Sequence, residues 1–206
     1  MNGVKAGIIG IGNMGSAHLR MITGGDIPDM TVTAVCDINP ERLKAAKAEY
    51  PDIAAFGDYT ELLKSSDTDA VIIAVPHPLH AKIAIEAFEY GKHVLVEKPM
   101  DITVSAAEDL CAAAEKSGKV FAIMFNQRTN GLFRKAREIV KCGELGEIKR
   151  SVWIITNWYR TQSYYDSGSW RATWRGEGGG VLLNQAPHNL DIWQWICGKP
   201  SAVTAF

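Results

Sequence analysis

The chain has 206 residues, a length that suits one large domain or one domain plus part of another. Hydrophobic residues make up 47% and charged residues 22%, the profile of a globular protein with a real core. A formal net charge of −1 gives no footing for a polyanionic partner, so neither nucleic acid nor membrane is expected.

Val4–Ile9 is apolar and reads as a buried strand, followed by a helix over residues 13 to 23. The stretch Gly7–Gly12 has no basic leader or cleavage site, so it is not read as a signal peptide, and a cytoplasmic location is expected. Thr31–Cys36 is the second strand, and Asn39-Pro40 opens a helix that runs through Tyr50. A short strand at Ala54–Phe56 and a helix at Tyr59–Lys64 lead to Ala70–Val75, the clearest buried strand. With Pro76 this is the longest apolar run, far short of the roughly 20 residues that a bilayer demands. His80–Tyr90 is an amphipathic helix ended by Gly91, His93–Val96 a strand, Val104–Lys116 a helix and Val120–Phe125 a strand.

Alternation of this kind implies an α/β fold: a doubly wound parallel sheet, here over residues 1–125. The pattern then changes. Leu132 to Val140 forms a helix that stops at Gly143, and Ile148–Trp158 reads as a long strand. A glycine-rich aromatic segment follows, then one helix over Leu182–Ile196, a turn at Gly198-Lys199-Pro200, and the beginning of a strand at Ser201–Phe206. Residues 126–206 thus read as the start of an α+β open-sheet domain. Two strands cannot bury an apolar face well, so a truncated form of a longer protein is expected. Cys36, Cys111, Cys142 and Cys197 lack metal or redox spacing; no metal is expected, and the thiols are read as reduced and mostly buried.

Gly10-Ile11-Gly12-Asn13-Met14-Gly15 matches GxGxxG between a strand and a helix, with Asp37 closing the next strand. The first glycine permits the tight turn, the second lets backbone approach a pyrophosphate, and the third packs helix on sheet. The helix N-terminus then supplies an anion site. This is the Rossmann arrangement, and Asp37 is placed to accept hydrogen bonds from the adenosine ribose. A 2′-phosphate about 4 Å from that carboxylate would be repelled by roughly 4 kcal/mol at an effective dielectric of 20. NAD is therefore favoured over NADP, although Arg42 could reach back to this position.

Three further clusters lie at the carboxyl ends of predicted strands, where open α/β sheets bind ligands. Pro76-His77-Pro78-Leu79-His80 makes a stiff polar loop, its histidines open to a plain structural reading as well. Glu97-Lys98-Pro99 can place an ammonium beside a substrate oxygen, with a surface salt bridge as the default alternative. Gly178-Gly179-Gly180 leads into Asn184 and His188, four residues apart and expected on one helical face, with Pro187 loosening the turn locally. A histidine titrates near neutrality and suits removal of an alcohol proton.

Taken together, GIGNMG, Asp37, the loop ending in His80, GKHVLVEKP, the GELGEI turn at 143–148 and the GGG…His188 segment resemble the Gfo/Idh/MocA oxidoreductases, the family of glucose-fructose oxidoreductase and inositol dehydrogenase. The resemblance implies catalytic roles for Lys98 and His188 on either side of a reacting carbinol. It implies a cofactor site made of Gly10, Ile11, Gly12, Asn13, Met14, Gly15, Asp37, Pro76, His80, Glu97 and Lys98. Arg128, Tyr159, Arg160, Trp170, Arg171, Asn184 and His188 are then the substrate-side residues, with aromatic faces for sugar C–H surfaces and polar groups for hydroxyls. A rival reading makes the tryptophans core or interface residues. The family usually has Asp where this chain has Asn184; an amide positions a hydroxyl but cannot relay a proton, which shifts the burden to His188 and Lys98. Family enzymes are longer, and their C-terminal sheet forms subunit contacts, so a homo-oligomer is expected of the full-length form. The implied activity is hydride transfer between a secondary hydroxyl of a sugar, inositol or glycoside and NAD. The alternatives are a redox-neutral, NAD-dependent glycoside-processing enzyme and a non-catalytic nucleotide-binding regulator.

Overall fold

The computed structural model describes residues 3–65, 67–156 and 159–204. Six parallel strands form one sheet: β1 (Val4–Ile9), β2 (Met30–Cys36), β3 (Ala54–Phe56), β4 (Ala70–Ile73), β5 (His93–Val96) and β6 (Phe121–Ile123). Their spatial order is β3-β2-β1-β4-β5-β6. The chain winds outwards from β1 to one edge, then returns to β4 and winds to the other. This reversal opens a crevice at the carboxyl ends of β1 and β4, where open α/β sheets take their ligands.

Helices α1 (Asn13–Thr23), α2 (Pro40–Glu49), α3 (Tyr59–Lys64), α4 (His80–Glu89) and α5 (Val104–Ser117) cover both faces of the sheet. The two-residue period of a strand divides the core. Ile8, Val35 and Ile72 pack with Leu19 and Ile22 of α1, and Leu43 and Ala46 of α2 border them. Ile9, Val71, Ile73, Val94 and Val96 face the other way, onto Leu62 and Leu63 of α3, Ile83, Ala84 and Ala87 of α4, and Leu110 of α5. The N-terminal half therefore has the expected doubly wound Rossmann architecture.

Beyond β6 the structure departs from the sequence expectations. Helix α6 (Gly131–Lys141) forms as expected, and Gly143 and Gly146, both with positive φ, close the following turn. Residues 148–156 form no strand, however, and Asn157 and Trp158 lie outside the described residues. Residues 201–204 are likewise irregular. Among the described residues neither segment meets a neighbouring strand, and unpaired extended backbone gains nothing from strand geometry. The helix expected over 182–196 is two helices, α9 (Val181–Asn184) and α10 (Pro187–Cys197), after the short α7 (Gln162–Asp166) and α8 (Trp174–Glu177). Pro187 lacks the N–H that would continue α9, so it starts a new helix instead. Asn184 and His188 consequently do not share one helical face.

One other expectation needs correction. Cys36 is buried, but Cys111, Cys142 and Cys197 are exposed, because they lie on outward-facing helical positions or at helix ends. Among the described tryptophans, Trp174 is exposed, whereas Trp170 and Trp195 are partly covered. Among the described residues no helix is long and apolar enough to cross a membrane.

Leu110 is fully buried between α5 and the sheet. Leu110→Ala is expected to cost about 2–5 kcal/mol of stability, read as a lower midpoint in urea-induced unfolding.

Candidate active site

The site begins at the turn between β1 and α1. Gly10 has φ +87°, and a Cβ there would lie 2.6 Å from the Ala74 carbonyl oxygen of the loop after β4. At Gly15 a Cβ would fall 1.8 Å from the Gly10 carbonyl oxygen, so only glycine lets α1 sit this close to the turn. Gly12 differs. The nearest atom to its virtual Cβ is Arg42 Nη1 at 3.7 Å, so the space over this residue is open. Gly12 is also the N-cap of α1, with no side-chain cap, whereas α2, α3, α5 and α6 are capped by Asn39, Asp58, Thr103 and Asn130. An uncapped helix N-terminus beneath open space is the place for a phosphate. Ile11 is buried, whereas Asn13 and Met14 are exposed around this opening.

Asp37 ends β2 with a buried side chain. Its carboxylate accepts hydrogen bonds from Ile11 N (2.9 Å) and Asn39 N (2.8 Å), which aim it into the turn. Arg42 does reach back: its Nη1 lies 3.2 Å from Asp37 Oδ2. The glycine turn and the acidic residue, 22 positions apart in the chain from Gly15 to Asp37, are thus one structure.

The second half of the site gathers at the ends of β4 and β5. Glu97, directly after β5, is buried and accepts a hydrogen bond from His18 Nε2 at 2.8 Å. The expected surface salt bridge between Glu97 and Lys98 is absent; the carboxylate is spent on His18 of α1. His18 carries no signal of its own in the sequence, beyond lying three residues after Gly15 and hence on the same sheet-facing side of α1.

Lys98 extends from β5 and donates from Nζ to the backbone carbonyl of Asn184 at 2.6 Å. Burial pulls its pKa below the usual lysine value, partly opposed by Glu97. His188, in the first turn of α10, is held edge-on against Phe125, with ring centroids 6.1 Å apart. Its buried Nδ1 has no hydrogen-bond partner among the described residues. Burial, then the positive charge of Lys98, lowers its pKa from the ordinary histidine value. The fold therefore brings the two expected catalytic side chains within each other's electrostatic reach.

Other expected site residues take structural positions. His80 is fully buried, and its ring nitrogens face the carbonyls of Pro99 (2.7 Å) and Val75 (2.8 Å). It is expected to contact cofactor, but its ring sits between the Val75 carbonyl of the loop after β4, where Pro76 lies half-buried, and the Pro99 carbonyl. His77 donates from Nδ1 to the Glu177 carbonyl (3.1 Å) and packs edge-on against Trp170, ring centroids 4.9 Å apart. Burial depresses its pKa to about 4, so it is neutral near pH 7. Arg128 grips Asp191 of α10 through Nε (2.8 Å) and lies over Trp195, which commits its guanidinium to holding α10. Asp191 has no pattern in the sequence that foretells this pairing.

A cleft of about 380 Å³ lies beside this centre, with Arg160, Tyr165, Thr173, Glu177, Gly180 and Gln185 among its walls. Of the expected substrate-side residues, Arg160 borders it directly. Arg171 instead bonds Tyr164 OH (2.7 Å) and covers the Tyr164 and Trp170 rings. Tyr159 is 82% exposed. Asn184 is buried, its amide donating to the Glu177 carboxylate. The sequence carries only one sign of Glu177, an isolated acid immediately before three glycines.

Residues 4–125 match the family described as oxidoreductases with an NAD-binding Rossmann fold, and residues 133–206 match the GFO/IDH/MocA C-terminal domain. The chain belongs to the Gfo/Idh/MocA family. Among its relatives is inositol 2-dehydrogenase of Salmonella typhimurium, 34% identical over 70% of this chain and 43% of the relative. The WlbA dehydrogenase from Bordetella pertussis, solved with NADH and UDP-GlcNAcA, superimposes with a TM-score of 0.84 and 30% identity, over 95% of this chain and 59% of the other. Scyllo-inositol dehydrogenase from Lactobacillus casei, with NAD(H) and scyllo-inositol bound, gives 0.80 and 26%, over 95% and 56%. This Gfo/Idh/MocA chain spans about half the length of the curated relatives it matches.

Two of the turn's three glycines, Gly15 and Gly12, predict separable effects. Gly15→Ala forces helix from sheet and is expected to cost about 3 kcal/mol in urea unfolding. Gly12→Ala, with open space above it, should cost only about 1 kcal/mol yet weaken NADH binding roughly ten-fold or more in a fluorescence titration.

Proposed function

We propose that the protein is an NAD-dependent oxidoreductase acting on a secondary hydroxyl of a sugar, inositol or related polyol. The observation that carries this reading is the pairing of Lys98 with the Asn184 carbonyl, which sets His188 beside Lys98 at the mouth of a Rossmann crevice.

The nucleotide fits the residues present. Gly10, Ile11, Gly12, Asn13, Met14 and Gly15 would hold the pyrophosphate over the uncapped start of α1, and Asp37 the adenosine ribose. When bound, NAD supplies the acceptor for the carbinol hydrogen and its electron pair. Glu97 and Lys98 border the crevice from β5, while Pro76 and His80 fix the loop opposite.

The chain's own chemistry is proton and charge handling. A neutral imidazole is needed to remove the hydroxyl proton, and the lowered pKa of His188 keeps it neutral at pH 7. Its unpartnered Nδ1 marks a ring that the protein has not committed elsewhere. The Lys98 ammonium, fixed by a carbonyl and short of solvent, stabilises the negative charge that grows on the substrate oxygen. Asn184 cannot take a proton; it serves by holding Lys98 through its carbonyl and Glu177 through its amide. Arg160, Tyr159, Trp170 and Arg171 shape the approach, and Arg128 acts through α10.

Three experiments test the reading. With the intact protein, NAD and a panel of neutral polyols, NADH is expected to accumulate; no turnover alongside normal NADH binding would contradict it. Lys98→Met and His188→Asn should each lower kcat by about 10²–10³ while NADH affinity changes little. The pH profile of kcat/KM has a signed expectation. Because the His188 pKa is lowered from 6.5, activity is lost on the acid side only below pH 6.5; because that of Lys98 is lowered from 10.5, the alkaline limb begins below 10.5.

A further inference from the structure

Glu177 is a carboxylic acid at the end of a four-residue helix, 4% exposed, and the mechanism above gives it no part. A buried acid needs compensation. This residue is tied down in two ways. Its carbonyl accepts from His77 at 3.1 Å. Its carboxylate accepts at Oε1 from the Asn184 side chain. Asn184 in turn offers its own carbonyl to Lys98, so the acid and the ammonium are two ends of one short network.

One feature of the acid is left over. It borders the cleft that Arg160, Gly180 and Gln185 also line. Among the described residues no donor meets its second oxygen, Oε2, nor is that atom among the buried ones left without a partner. A rigidly held carboxylate with a spare oxygen on a cleft wall is an acceptor for hydroxyl donors. It is also unfavourable to a second carboxylate in the same position.

We propose that Glu177 is a substrate-binding residue whose carboxylate accepts hydrogen bonds from the hydroxyls of a neutral polyol and selects against sugar acids at that position. The inference rests on the function proposed above and narrows it to a substrate class. Asn184 is then a positioning residue that keeps the carboxylate turned to the cleft. Being an amide, it does so without adding a second negative charge next to Glu177.

The test compares wild type with Glu177→Gln in the intact protein. Glutamine keeps the shape and can still accept from Asn184, so folding should persist; NADH affinity and the urea midpoint check this. The variant loses only the charge. Calorimetric titration of myo-inositol and of D-glucuronate into NADH-saturated protein is expected to show roughly ten-fold or greater weakening for the polyol. The ratio of polyol to acid affinity should fall by at least about ten-fold. In turnover assays the loss should be larger in KM than in kcat. Unchanged polyol affinity and an unchanged ratio would show Glu177 to be structural and overturn the proposal. Wild type that turns over no polyol but still binds it Glu177-dependently would refute the redox reading alone. Wild type that binds no polyol at all would refute both.

Discussion

A single hydrogen bond holds the two halves of the candidate site in register: the Lys98 ammonium on the backbone carbonyl of Asn184. One partner is fixed by the end of β5, which is paired on both sides in the parallel sheet. The other lies just ahead of the proline that starts α10 and thus sets where His188 points. A lysine usually holds its charge in water on a flexible stem. Here the stem is half-buried and the head is pinned, so the charge is both localised and poorly solvated. Both conditions strengthen what an ammonium can do for a developing oxyanion. The arrangement also explains why the neighbouring glutamate does not pair with it, since Glu97 is taken by His18 from the helix below.

The polar groups around that bond are linked into one system. His77 fixes the Glu177 backbone, Glu177 and Asn184 join side chains, Asn184 holds Lys98, and burial followed by the Lys98 charge lowers the pKa of His188. His80 secures the Pro99 carbonyl immediately after the lysine. Such a system is costly unless nearly every group is paired. The exceptions are therefore informative: among the described residues, the buried Nδ1 of His188 and the second carboxylate oxygen of Glu177 meet no partner.

The Rossmann half was legible in the sequence because its signals are local. The unbroken apolar runs Ile8-Ile9 and Val71-Ile72-Ile73 mark strands buried on both faces, and the glycine turn declares its own geometry. Lys98 and His188 were legible only through motif resemblance, since 90 positions separate them and nothing local shows that they meet. Other features had no local sign. The His18–Glu97 pair depends on how α1 packs over β5, and Arg128–Asp191 on how α10 crosses the turn after β6. Glu177 looked like an ordinary loop acid because its burial comes from Trp170, His77 and Asn184, which are distant in sequence or separated by turns. The strand expected at 148–158 does not form over its described residues, 148–156, for the same reason in reverse. Its residues have the composition for a sheet, but pairing is a property of a neighbour, and composition cannot supply one.

The central claim is that this network presents a carbinol carbon to the nucleotide crevice. Isotope tracing addresses it most directly. A polyol bearing deuterium on its carbinol carbons would be incubated with the intact protein and NAD, and the mass of the reduced nucleotide measured. The account predicts NADH carrying deuterium from the substrate. Reduced nucleotide free of the label, or none formed while the polyol is bound, would contradict it.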